Sequence, residues 1–134
     1  MATIADIGGL GPKNATKLRK AGVRTTEGLL KVASTSRDRK ALSEATGLST
    51  SHILEWVKRA DLMRVRGVGS EYADLLETAG CDTVKELRRR NAANLSQAMV
   101  EINEAKRLVR RLPTEAMVQA WIDQAKDMEP AVKR

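Results

Sequence analysis

The sequence predicts an all-α protein made of two repeated units, and three observations carry that reading. A fifteen-residue pattern occurs twice, 58 positions apart. Apolar residues elsewhere recur at three- and four-residue spacing, the period of one buried helix face. No stretch alternates apolar and polar residues as a strand does, and Gly, Pro, Ser and Thr fall where helix caps and turns belong.

The repeated pattern runs from Ile4 to Leu18 and again from Leu62 to Leu76. Ile4, Ile7 and Leu10 match Leu62, Val65 and Val68. Gly9 and Gly11 match Gly67 and Gly69, and Ala15 and Leu18 match Ala73 and Leu76. The correspondence continues through Ala21-Gly22 with Ala79-Gly80, Thr25 with Thr83, and Leu29 with Leu87. Mechanically, the apolar triplet ends one helix, two glycines make a turn, and Ala/Leu face the core from a second helix. Glycine suits such a turn because it tolerates positive φ and close backbone approach. Pro12 fits a first helical position and Ser70 an N-cap. The product is a tight hairpin, here hairpin one (4–18) and hairpin two (62–76), whose amides point from a helix N-terminus and suit a phosphate.

These residues resemble the helix-hairpin-helix motif of DNA repair, recombination and replication proteins, with every motif position matched twice in register. The resemblance implies two pseudo-repeated helix-hairpin-helix units of the SAM-like kind sharing one core. It further implies that hairpin glycines bring amides onto a DNA phosphate without reading sequence, often with a monovalent cation. No other cofactor is expected. The whole chain also resembles an uncharacterised bacterial family of tandem helix-hairpin-helix proteins, which implies no activity.

With 134 residues, the chain is expected to be a single domain, 1–134. Repeat 1 spans about 2–59, repeat 2 about 60–128, and 129–134 forms a frayed tail. A chain of this length buries roughly two thirds of its unfolded surface, whereas either half alone would be marginal. Phe is absent and aromatics make up 2% of residues, so the core must be Leu, Val, Ile, Ala and Met. The net charge of +7 points to an acidic partner, nucleic acid first. The single cysteine allows no internal disulfide and fits a reducing, cytoplasmic setting. Cys81 aligns with Val23 and is read as a small core residue. No transmembrane run or signal peptide is found, so no membrane partner is expected.

In chain order, residues 2–7 make a short helix or turn and 12–21 the second hairpin helix, closed by Gly22. Thr25 caps a helix over 26–34, and Ser34-Thr35-Ser36 interrupts. A helix over 37–46 stops at Gly47, and Ser49 caps a long helix over 50–64 that leads into hairpin two. Helices follow at 70–79, at 83–91 capped by Thr83, at 93–111, and, after Pro113, at 115–128 capped by Thr114. Trp56 to Met63 is answered by Trp121 to Met128, now 65 positions on, so the second unit gained seven residues. That is about two helical turns, which lengthens a helix without rotating its buried face. The last Trp helix leads into no further hairpin. It is expected to lie against unit one, closing a monomer, with a swapped dimer as the alternative.

Charge separates the units. Residues 1–58 hold ten Lys/Arg and five Asp/Glu, while 59–134 hold fourteen and twelve. Helix 12–21 carries Lys13, Lys17, Arg19 and Lys20 with no acid; helix 70–79 carries Glu71, Asp74 and Glu77 with no base. Acid near a helix N-terminus satisfies the dipole and repels phosphate. The candidate phosphate site is therefore Gly9, Leu10 and Gly11 with Lys13 and Lys17. Hairpin two, with Gly67, Val68 and Gly69 preceded by Arg64 and Arg66, is read as structural or partner-binding. Arg88-Arg89-Arg90 is a further basic cluster. Lys106, Arg107, Arg110 and Arg111 would share one helix face, as a backbone-tracking stripe or simply a solvated surface.

One histidine supports neither a His-type zinc site nor a His-centred triad, so no catalytic or metal site is expected. His52 is read as partly exposed packing beside Trp56. The glycine segment is no P-loop, since no Ser/Thr follows Lys13 and no strand precedes it. With only Tyr72, Trp56 and Trp121, stacking platforms for single strands are scarce. Two functions remain: a non-catalytic module contacting duplex phosphates through hairpin one, or a protein-interaction or assembly scaffold.

Overall fold

The computed structural model describes residues 2–133, and among them every regular element is helical. A 3-10 turn, Ile4–Asp6, precedes α1 (Gly11–Lys20), α2 (Thr26–Ala33), α3 (Ser36–Thr46) and α4 (Thr50–Leu62). Then come α5 (Ser70–Thr78), α6 (Val84–Leu87), α7 (Ala92–Lys106) and α8 (Glu115–Lys126). No helix among the described residues is long and apolar enough to cross a membrane. An isolated antiparallel bridge joins Thr3 and Thr25.

The chain was expected to form one domain around a shared core. Its contacts divide it into two compact units, one through Asp61 rejoined by the tail from Ala131, the other Leu62–Pro130. The second unit has an interior of its own, including Leu62, Val65, Leu76, Leu87, Met99 and Trp121. In the first, Ile4, Leu10, Leu18, Leu29 and Ile53 are fully buried.

Local chemistry sets most helix starts. The side chains of Thr25, Thr35, Thr83, Asn91 and Thr114 each accept a bond from the amide three residues on, and Ser49 does so from His52. Gly47 closes α3 with φ +78°. Ser70 is not an N-cap: Gly69 holds that position and Ser70 is the first helical residue.

The expected helix over 93–111 is shorter, ending at Lys106. Arg107 turns left-handed, and Asn103 then grips the chain. Its Nδ2 donates to Val109 O at 3.2 Å and its Oδ1 accepts from Val109 N at 3.0 Å. Val109 is thereby drawn into the core. Lys106, Arg107, Arg110 and Arg111 consequently do not form one helical stripe, because only Lys106 lies in a helix.

The last helix packs within its own unit. α8 packs on α7 and α6 inside the second unit, burying Val118, Trp121, Ile122 and Ala125 there. Its apolar stripe is satisfied by its own unit.

The tail, whose last residue Arg134 lies outside the described residues, makes hydrogen bonds at Lys133. Lys133 N donates to Ser34 O at 2.8 Å, and Arg39 Nη2 donates to Lys133 O at 2.7 Å. Arg39 is only 4% exposed, and its Nη1 also donates to the carbonyls of Ala33 and Ser34. A guanidinium thus satisfies the C-terminal carbonyls of α2, where a cation also complements the helix dipole.

Candidate functional site

The two glycine turns begin alike. In the first, Ile7 N donates to Ile4 O and Leu10 N to Ile7 O; in the second, Val65 N donates to Leu62 O and Val68 N to Val65 O. The arm entering each turn is thus a chain of i→i+3 bonds on buried apolar residues, tighter than an α-helix. Beyond the turns, α1 and α5 end in matching ways. Val23 N reaches Leu18 O at 2.9 Å, and Cys81 N reaches Leu76 O at 2.8 Å.

The predicted phosphate residues are close in the chain and fall on one short segment. Gly9 and Gly11 are exposed and left-handed, with φ of +81° and +79°. Leu10 buries its side chain, and its amide is occupied by Ile7. Pro12 carries no N–H. First-turn amides have no intrahelical acceptor, so the donors this helix start offers outward are those of Gly11 and Lys13. Lys13, Lys17, Arg19 and Lys20 are all exposed, and the first turn of α1 contains no acid.

Sequence reasoning missed one participant, Arg59. From α4, the Arg59 guanidinium donates to the Gly8 carbonyl and lies 3.4 Å from where a Gly9 Cβ would stand. A signal for it existed. Gly8 and Arg66 correspond at the 58-residue offset, and Arg59 and Gln124 at the 65-residue offset. In the second unit that same pair is bonded: Arg66 N donates to Gln124 Oε1 at 2.9 Å, and Gln124 Nε2 donates to Arg66 O at 3.2 Å.

An open groove of about 570 Å³ adjoins the first turn, lined by Gly8, Gly9, Asn14, His52, Trp56 and Arg59 among others. The exposed His52 ring stacks on Trp56, with centroids 6.0 Å apart and planes at 29°.

The second turn has an indole beside it, although Gly67 and Gly69 are exposed as Gly9 and Gly11 are. Trp121 Nε1 stands 2.9 Å from the position of a Gly67 Cβ. Tyr72 packs against Trp121 at 5.3 Å and donates its hydroxyl to Arg111 O. Val68 is buried, and Arg64 Nη2 donates to Glu129 O at 2.9 Å. Gly69 is extended at φ −94°, unlike its counterpart Gly11. Arg66 is exposed, and its backbone is held by Gln124. Arg88 reaches Lys126 O at 3.3 Å, so the Arg88-Arg89-Arg90 cluster is partly drawn into the fold.

Cys81 is fully buried, and burial pushes its thiol up to about 12. It packs in the second core as its alignment with Val23 implies.

No curated protein and no solved structure matches the chain. A family profile described as a domain of unknown function, DUF4332, matches residues 8–128, and the chain belongs to that family.

Proposed function

We propose that the protein is a non-catalytic nucleic-acid-binding module built of two helix-hairpin-helix units, and that its first glycine turn contacts duplex phosphates without regard to sequence. The observation that carries this reading is the start of α1. There a left-handed, exposed Gly11 leads into a helix whose Lys13, Lys17, Arg19 and Lys20 are all exposed with no acid in its first turn. Amides at a helix N-terminus and nearby ammonium groups both favour a phosphate oxygen. Neither carries base information, so the contact is sequence-independent. Arg59 adds a third source of positive charge beside the turn.

The second turn serves the fold in this reading, because Trp121 and Gln124 occupy its backbone. The scaffold alternative rests on the acids of the second hairpin and on the last Trp helix, and the apolar face of that helix packs within its own unit. The test is a salt titration with random-sequence duplex. If the turn and its neighbours neutralise about four phosphates, log K falls with log salt at a slope of about −3 to −4. A flat salt response, or no binding at low salt, overturns the reading.

A further inference from the structure

We infer that the groove beside the first glycine turn receives an unpaired nucleotide of the same nucleic acid whose phosphates rest on the turn. The inference depends on the phosphate-contact reading and names the substrate class for it: duplex interrupted by an unpaired base, in preference to intact duplex.

Shape is the first argument. Asn14 stands where the second unit has Tyr72. In the second unit that tyrosine leans on Trp121, and the indole sits on the turn glycine. In the first unit Asn14 is short and folds its amide back, with Nδ2 donating to Leu10 O at 2.7 Å. The corresponding volume is therefore open, and it starts at Gly8 and Gly9. A phosphate on the α1 amides would sit next to it, so one nucleotide can span both places.

Chemistry is the second. His52 is exposed and already stacked on Trp56, which leaves its outer face for a base. The exposed Glu55 on the same wall can accept from a base amino or imino group. Its carboxylate disfavours a phosphate inside the groove, so the base rather than the backbone fits there. An apolar peptide side chain suits the place poorly, because Lys58, Arg59 and Glu55 all line it.

The experiment compares an intact duplex with the same duplex carrying one bulged nucleotide, at matched salt. The bulged duplex is expected to bind about tenfold more tightly, in line with stacking of one base. Asn14→Tyr fills the groove with the side chain the second unit uses, and His52→Ala removes the stacking face at an exposed position. Each is expected to lower bulged-duplex affinity to the intact level and leave intact-duplex affinity unchanged. Equal binding of the two duplexes by the unaltered protein overturns the groove assignment and leaves the phosphate reading standing. So does a preference that survives both substitutions. Failure to bind either duplex removes both readings together.

Discussion

The two glycine turns share a backbone plan and differ in what lies over it. Both carry the same i→i+3 bonds, and both place a left-handed glycine at the matching position, Gly9 or Gly67. Over Gly67 stands an indole; beside Gly9 stand a guanidinium and an open groove. The difference teaches that this turn is a neutral structural part. Trp121 and Tyr72 pack beside it in the second unit, whereas an open groove and the Arg59 guanidinium lie beside it in the first. Charge follows the same division, since α1 offers exposed lysines where α5 carries Glu71, Asp74 and Glu77.

The largest effect is expected from reversing that charge. Lys13→Glu with Lys17→Glu should weaken duplex binding about a hundredfold at low salt and flatten the salt slope by about two. Glu71→Lys with Asp74→Lys should leave binding unchanged or strengthen it, since a repulsive pair is removed. Equal losses from the two double variants, measured by titration, would mean that the turns do not differ in function.

A smaller effect separates the glycines by stability. Gly67→Ala places a Cβ against the Trp121 indole at a left-handed φ of +94°. Strain and displacement together should cost about 2–4 kcal/mol in chemical denaturation. Gly69→Ala meets nothing within 4 Å and sits at an ordinary φ, so it should stay within about 0.5 kcal/mol. If both are equally damaging, the covering indole is not what distinguishes the second turn.

The smallest effect concerns pH. The Cys81 thiol is raised from 9.0 to about 12 in the folded protein, chiefly by burial. Above pH 9 the unfolded thiol loses its proton while the folded one keeps it, so stability should fall as pH rises towards 12. Below 9 the group contributes no slope. Cys81→Val, the residue its counterpart Val23 already is, should remove that alkaline loss. An unchanged pH dependence in the variant, followed by denaturation at pH 8 and 10.5, would assign the loss to other groups.

Much of the helical layout was legible because its signals are local. Thr25, Ser49, Thr83 and Thr114 start helices as expected, each by a bond to an amide three residues away. Gly47 likewise stops α3 through its own left-handed backbone. The end of α7 was not legible. Its apolar pattern runs on through Leu108 and Val109, yet the Asn103 side chain captures Val109 from six residues away and ends the helix. Arg39 was missed for a similar reason: it is buried where three carbonyls converge on its guanidinium, two of them close in sequence and one at Lys133.

The candidate site divides along the same line. The glycine spacing, the acid-free cationic face of α1 and the contrasting acids of α5 are properties of order and composition, and the sequence by itself determined them. Which helix covers which turn depended on tertiary packing. The same Trp stripe could lie against either unit, and sequence carries no distance between segments far apart in the chain. Packing decided that α8 closes over Gly67, that Arg59 reaches Gly8, and that Asn14 leaves open the space Tyr72 fills. Those outcomes rest on side-chain volume and long-range hydrogen bonds, which exist only once the units have folded.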